Sequence, residues 1–543
     1  MEEGRAAARA VAINKVHYGC AAAQGIVKAT LNQSLAHRAP LLWAVCSVAN
    51  PRDSYGYRCG LRLASHPKSG CAPLRGLIQR CPNPYATPRT LPALVLAGVT
   101  CLLSACAPVP VQPPASAPVS ATTEAAPTAT PCPKDLAPIA RCLSGKDSAG
   151  AYYLVAVPQQ WNGHLVLHAH GGPALGAPKM ERSVEDLERW AIMVRAGYAW
   201  AGSTFRQGGV EVRAAAEDTE RLRQIFVRHV AQPQRTILHG QSWGASVAAK
   251  GVEMFQTKAD GKRPYDAVLL TSGVLAGGTR SYDFRTDLRV VYQHLCNNHP
   301  RPTEVQYPLN IGLPADAAMT QADLAARVNE CLALNKPVAE RTPEQQRKVK
   351  TIVDVIRIPA SSIQGHMNWA TFHFRDVVQH RTGGASPFGN RGVQYRGSPD
   401  DAALNAAVLR YRADPAAVAR FAQDTDLTGR IPVPVLTVKG VDDPTAFVEL
   451  DAAFRATMAQ GGSAERLVQT FTRHNTHSYL SDPTYPTLMT ALLRWVDEGA
   501  KPTPEGIAQQ CPANEARFGK GCAFVPAYVP KPLSSRVADR DRP

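Results

Sequence analysis

Ala151–Val157 runs Ala-Tyr-Tyr-Leu-Val-Ala-Val and is closed by Pro158, and Gly163–His168 repeats the apolar pattern before His170-Gly171-Gly172-Pro173. Short β-branched and aromatic runs bounded by Pro and Gly read as strands. Apolar positions then recur at helical spacing over Val184–Ala196, a strand reads again at Tyr198–Ser203, and a charged amphipathic helix covers Ala215–Val230. Arg235–His239 is the next strand and Ala245–Phe255 the next helix; Val433–Gly440, Arg466–Thr472 and the amphipathic Pro486–Trp495 repeat the alternation near the C-terminus. Such alternation predicts an α/β fold, a mostly parallel sheet with helices on both faces. Between Gly278 and Arg430 the pattern turns helical, at Gln321–Leu334, Pro343–Ile356 and Asp400–Phe421, while residues 364–374 and 383–397 are richer in Gly and aromatics and read as loops.

Composition adds a globular body: 45% hydrophobic and 19% charged residues over 543 positions supply one large core or two ordinary ones. The net charge of +16 would normally raise nucleic acid as a partner. It is unevenly placed, since residues 1–105 hold 12 Lys/Arg against 3 Asp/Glu, more than half of the surplus. Without a basic stripe interleaved with aromatics further on, nucleic-acid binding is excluded as the main reading.

Leu91–Cys106 is an uncharged apolar stretch preceded by Arg75, Arg80 and Arg89, the order of a positive n-region and an h-region. It is too short to span a bilayer, which needs about 20 apolar residues. Its end, Leu103-Ser104-Ala105-Cys106, resembles the lipobox of bacterial lipoproteins, which implies that Cys106 carries a lipid and opens the mature chain. The expected organisation is an extension over 1–73, non-native or disordered, a signal peptide over 74–105 and a Pro/Ala/Thr-rich tether over 106–131. Two halves of the alternating α/β pattern follow at 132–277 and 431–510, with a largely helical insertion at 278–430 and a tail at 511–543. A start codon placed upstream of the true one would account for 1–73, but the next methionine after Met1 is Met180, so the true start would be a non-ATG codon. The expected location is an exported, membrane-anchored lipoprotein, periplasmic or on the cell surface, with the lipid membrane as its partner.

Of 13 cysteines, six follow Cys106 and fall as sequence neighbours: Cys132/Cys142, Cys296/Cys331 and Cys511/Cys522. Six cysteines allow about 15 connectivities, and close spacing in an exported protein favours local loops. No Cys/His set has zinc spacing, and neither a metal nor another cofactor is expected.

The strand at Arg235–His239 runs into Gly240-Gln241-Ser242-Trp243-Gly244 and then a helix. A Gly-x-Ser-x-Gly turn between strand and helix lifts a serine hydroxyl above the sheet. A serine is a poor nucleophile at neutral pH, so it needs a histidine base and an acidic orienter, here in the chain order Ser, Asp, His. Asp443 follows the strand ending at Gly440, with Asp442 as its rival, whose other role is to cap a helix beginning near Pro444. In the loop Arg473-His474-Asn475-Thr476-His477-Ser478-Tyr479, His477 is chosen over His474, read as an exposed loop residue. An oxyanion needs two backbone donors; Trp243 supplies one, and the His170-Gly171-Gly172-Pro173 loop the other, from Gly172. His164 and His168 read as core or loop residues.

These motifs resemble the α/β-hydrolase superfamily over Arg141–Gly278 and Ile431–Gly499, where Gly-x-x-Asp selects Asp443 and the small-His-Ser pattern selects His477. His-Gly-Gly-Pro with Ser-Trp-Gly is similar to proline iminopeptidases, although Ala174 and Gly240-Gln241 depart from that group. Trp161-Asn162-Gly163, the local cysteine pairs and Trp495-Val496-Asp497-Glu498-Gly499 look more like secreted esterases, including the feruloyl esterase and tannase group. The resemblance implies an eight-stranded-type sheet, a lid that carries the substrate pocket, and cleavage of a small-molecule carboxylic ester through an acyl-enzyme. The alternatives are an aminopeptidase, for which Glu330, Asp400 and Asp401 could hold an amine terminus, and a non-catalytic surface lipoprotein.

Overall fold

A segment without polar positions sheds water only when both of its faces are covered, and the apolar runs of this chain meet that condition as adjacent strands. The computed structural model describes residues 124–257 and 261–543, with two short paired strands, Trp43–Val45 and Gly60–Arg62, in a separate N-terminal unit. The expected signal peptide over 74–105 and Cys106 lie outside the described residues.

Nine strands form the main sheet: β1 (Thr128–Thr130), β2 (Ala140–Lys146), β3 (Tyr152–Pro158), β4 (His164–Ala169), β5 (Ala199–Ser203), β6 (Arg235–Gln241), β7 (Ala267–Thr271), β8 (Val435–Gly440) and β9 (Leu467–Thr472). Their order is β9-β8-β7-β6-β4-β5-β3-β2-β1. From β9 to β5 every pairing is parallel, while β5/β3, β3/β2 and β2/β1 are antiparallel. The resemblance implies eight strands and the sheet has nine; six of them are read from the residues, and β1, β2 and β7 are absent from that reading. In β2 the polar Arg141, Ser144 and Lys146 mask the period, because only residues such as Ala140 and Cys142 face the core.

Side chains alternate across the sheet as the pleat requires. Val166, Ile237, Leu269 and Leu436 pack on one face against Trp190, Met193, Leu488 and Leu492. Leu165, Leu238, Val268 and Val435 pack on the other against Ile225, Phe226, Ala248 and Phe454. Each such side chain contributes roughly 1.5–3 kcal/mol on full burial, so the sheet is a stiff platform for whatever its strand ends carry.

The helical insertion has its own core, where Leu288, Val291, Leu324, Ile352 and Phe374 pack with Ala446, Phe447 and Leu450 from the segment after β8. The lid is thus continuous with the loop that follows Gly440. Helices form at Gln321–Leu332 and Pro343–Ile356, each opened by a capping box, Thr320/Asp323 and Thr342/Gln345. Asp400–Phe421 is two helices, Asp401–Ala407 and Pro415–Thr425, because Pro415 fits the first turn of a new helix capped by Asp414. Residues 364–374 are helical, not loop, within a run from Ile363 to Arg381 that includes two π-type turns. Met367, Ala370, Thr371 and Phe374 recur at helical spacing and are fully buried, a stripe that outweighs the neighbouring Gly365. Val184–Ala196 likewise divides at Trp190 into Glu181–Arg189 and Ala191–Arg195.

Three further boundaries move. Residues 124–131, read as tether, are folded: β1 pairs with β2, and the Glu124 carboxylate lies 3.4 Å from the Arg221 guanidinium. The tail is also ordered, with Cys511 inside the helix Pro504–Phe518 and the Arg540 guanidinium buried 2.7 Å from Asp287. The helix after Gly440 starts at Glu449, not near Pro444. Among the described residues no helix is long and apolar enough to cross a membrane.

All three local disulfides are formed: Cys132–Cys142, Cys296–Cys331 and Cys511–Cys522. Cys296–Cys331 joins the end of the lid helix Phe284–Cys296 to Gln321–Leu332, a sequence separation of 35. Replacing both cysteines by Ala should lower unfolding stability by about 2–4 kcal/mol through the freed denatured chain. Denaturant titration of the variant against the parent protein checks this.

Candidate active site

β6 ends at Gln241 and the helix Trp243–Met254 begins two residues later, so Ser242 alone makes the turn, with φ 56° and ψ −120°. That backbone is costly for a non-glycine residue, about 1–3 kcal/mol, and close packing holds it. A Cβ on Gly244 would stand 2.1 Å from the Ala169 carbonyl oxygen at the end of β4, and one on Gly240 2.3 Å from the Gly244 carbonyl oxygen. Only glycine permits the helix to begin this close to the sheet. The Ser242 carbonyl accepts hydrogen bonds from the Ala245 and Val274 amides, and its own N–H donates to the Thr271 carbonyl.

The Ser242 hydroxyl lies 2.8 Å from Nε2 of His477, whose Nδ1 lies 2.9 and 3.0 Å from the two carboxylate oxygens of Asp443. Asp443 is 5% exposed and one of its oxygens also accepts the Thr445 and Ala446 amides, each at 2.8 Å. Those donors fix the direction of the carboxylate. Asp442 is exposed and takes no part in this line, nor does it cap a helix. His474 turns back onto the Thr472 hydroxyl at 3.0 Å.

Trp243 is the first helical residue, so its amide is one of those a helix start leaves without an internal partner. With Gly172, at φ 73°, it lines a cavity of about 460 Å³ that also contains Ser242 and His477. His366, Trp369, Tyr282 and Arg285 of the lid line the same cavity. Residues 364–374 therefore line the pocket, but as helix.

The remaining histidines near the strand ends belong to the core. His168 and His239 face each other with Nδ1 atoms 3.0 Å apart, and burial pushes His239 down to about 3. His170 stacks on Phe205 at 4.4 Å, also pushed down to about 3 by burial. Among the described residues no three metal-ligating side chains gather.

Two elements of the site had no sequence signal. Gln241, buried in the elbow, donates from Nε2 to the Ser478 hydroxyl at 3.0 Å and ties the histidine loop to the nucleophile turn. Lys439 is fully buried at the end of β8, ion-paired with Asp451 and donating to the Gly273 carbonyl at 2.6 Å, and so braces the strand that carries Asp443. Both residues look ordinary in sequence, because their roles come from strand neighbours that are distant along the chain.

No family model matches the chain. A stretch of 117 residues is 28% identical to an o-phthalyl amidase from Xanthobacter agilis, 21% of this chain. The chain thus spans about a quarter of the curated relative's length, 24%. Similar solved structures include an esterase from Aspergillus oryzae, TM-score 0.38 and 14% identical, covering 67% of this chain and 81% of that one. Feruloyl esterase B from the same organism has TM-score 0.34 and 14% identity, covering 69% and 86%. The rice cell wall degrading esterase LipA from Xanthomonas oryzae has TM-score 0.30 and 14% identity, covering 62% and 83%. At these values the likeness carries nothing about chemistry. The chain's own sheet, with a serine at a strand-to-helix turn and an acid and a histidine after later strands, is the α/β-hydrolase fold.

Gly244→Ala should lose labelling of Ser242 by a fluorophosphonate probe and about 1–3 kcal/mol of stability, since the new methyl has no room. Gly251→Ala, on the same helix but with its nearest contact at 3.5 Å, should keep labelling and gain up to about 1 kcal/mol. Peptide mapping of the labelled protein and denaturant midpoints check both.

Proposed function

We propose that this chain is a serine hydrolase that cleaves carboxylic esters through an acyl-enzyme. The observation that carries the reading is the unbroken hydrogen-bond line from Ser242 through His477 to Asp443, opening into a cavity. His477 Nε2 takes the Ser242 proton as the hydroxyl attacks the ester carbonyl, while Nδ1–H donates to Asp443, which fixes the tautomer and stabilises the imidazolium. The same proton then passes to the leaving alcohol. Water, deprotonated by His477, releases the acid from Ser242. The Trp243 and Gly172 amides receive the oxyanion of both tetrahedral intermediates.

The lining of the cavity favours an ester over a peptide with a free amine terminus. No Asp or Glu stands on its wall, whereas Arg182, Arg189 and Arg285 do. Glu330 pairs with Arg301 on the surface, Asp400 caps a lid helix, and Asp401 accepts from Ser398. None is available to hold an ammonium in this cavity.

Ser242→Ala and His477→Ala should each remove most turnover, roughly 10³-fold or more, and the double variant should cost little beyond either, because the residues act as a unit. Asp443→Asn should lose activity with the fold kept, since the imidazole is then held in the wrong tautomer, while Asp442→Asn stays close to the parent. Aryl and alkyl esters assayed beside proline amides separate the esterase from the aminopeptidase, and full ester turnover by Ser242→Ala would defeat both.

Anchoring is the second part of the proposal: the Cys106 thiol carries the lipid and the body works at a membrane face. The basic and apolar order of the leader and the small residues before Cys106 support it. Cys106→Ala should abolish incorporation of a labelled fatty acid and release the protein from the membrane fraction, with hydrolysis by the folded body unchanged.

A further inference from the structure

Most buried guanidinium groups in this fold are matched by carboxylates; among the described residues Arg289, which meets His299 and Thr371 inside the lid core, and Arg285, at the site, are not. Arg540 meets Asp283 and Asp287, and Arg206 meets Asp218 and Glu217. Arg285, only 5% exposed on the lid helix Phe284–Cys296, lines the cavity of Ser242 and His477. Among the described residues no carboxylate lies within ion-pair distance of it. Its neighbour in sequence, Asp283, is already taken by Arg540 and Arg542. The polar contact Arg285 makes is a long one, from Nη1 to the Ser281 carbonyl at 3.3 Å, and its Nε is buried without a partner.

What surrounds it instead is aromatic. The guanidinium carbon stands 4.6 Å from the Phe284 ring centre, 4.7 Å from Trp369 and 5.4 Å from Tyr282, and Tyr282 and Trp369 stack at 4.2 Å. Ring faces hold a cation in place but satisfy none of its N–H donors. Burial pushes the group down to about 9, so it stays charged at neutral pH at a cost that an arriving anion would relieve. Arg182 and Arg189, which share the one carboxylate of Asp186, also line the cavity, and no Asp or Glu does.

We infer that the substrate carries, besides its scissile ester, a free carboxylate that docks on the Arg285 fork, so that the natural substrates are half-esters or esters of carboxylated aromatic or aliphatic acids. This rests on the ester-hydrolase reading of the same cavity. A guanidinium presents two parallel donors to a planar carboxylate, and the flat Trp369 and Tyr282 faces beside it suit an apolar or aromatic spacer. Arg285 acts here in binding and takes no part in the proton transfers.

Two measurements on the intact chain test it. In the first, binding of benzoate and of neutral benzamide is followed by tryptophan fluorescence, without turnover. Benzoate should bind and benzamide should not, and benzoate affinity should fall about tenfold or more in Arg285→Met and less in Arg285→Lys, which keeps the charge without the fork. Equal binding of the two probes, or benzoate affinity unchanged in both variants, would overturn the inference. In the second, the kcat/KM ratio of a mono-aryl dicarboxylate to its methyl-capped neutral analogue should exceed about ten in the parent and fall toward one in Arg285→Met, through KM. A ratio near one in the parent would likewise overturn it. Arginine-dependent benzoate binding with no cleavage of either ester would instead sink the hydrolase reading and leave the anion site standing.

Discussion

The contact on which the site depends is the approach of the helix Trp243–Met254 to the ends of β4 and β6, where Gly244 lies against the Ala169 and His170 carbonyls. It forces Ser242 into a backbone region that serine avoids and turns the helix start, with its free amides, toward the cavity. The strain is local, and the buried sheet beneath supplies the stability that offsets it. A looser turn would be more comfortable for Ser242 and would leave its hydroxyl without a fixed distance to His477.

The same platform aligns the other two members. Asp443 follows β8 and His477 follows β9, which pair in parallel from Val435/Leu467 to Gly440/Thr472, so their loops leave the sheet side by side. The Val441 amide donates to the Thr472 carbonyl and continues that pairing into the loops. Buried Lys439, paired with Asp451, anchors the strand end below. Such a pair adds little net stability, but removing one partner leaves an unmatched buried charge at a cost of about 3–5 kcal/mol. Phe447 and Leu450 also belong to the lid core, so the segment after Asp443 packs as one body with the lid.

Much of this was legible in sequence wherever one local pattern decides the outcome. The Gly-x-Ser-x-Gly turn, the strands around it and the capped lid helices follow from residues close in the chain, and Ser242, Asp443 and His477 were chosen from such patterns and lie within hydrogen bonds of one another. Elements decided by distant partners were not legible. β1 is an edge strand and β2 lies next to it, both with polar positions that blur the period, the segment at Gly365 becomes helix through its buried stripe, and Glu124 in the tether is held by Arg221. Arg285 reads in sequence as one more charge on an amphipathic helix, and only the folded lid shows that, among the described residues, no carboxylate stands within ion-pair distance of it.

The most direct test of the account is to trap the acyl-enzyme. The parent protein is mixed with an aryl ester, quenched in acid within the first turnover, and mapped by mass spectrometry. The account predicts the acyl mass on the peptide of Ser242, a burst of aryl alcohol equal to the enzyme present, and neither in Ser242→Ala. An ester cleaved without a burst and without an adduct on Ser242, or cleaved equally by Ser242→Ala, would contradict it.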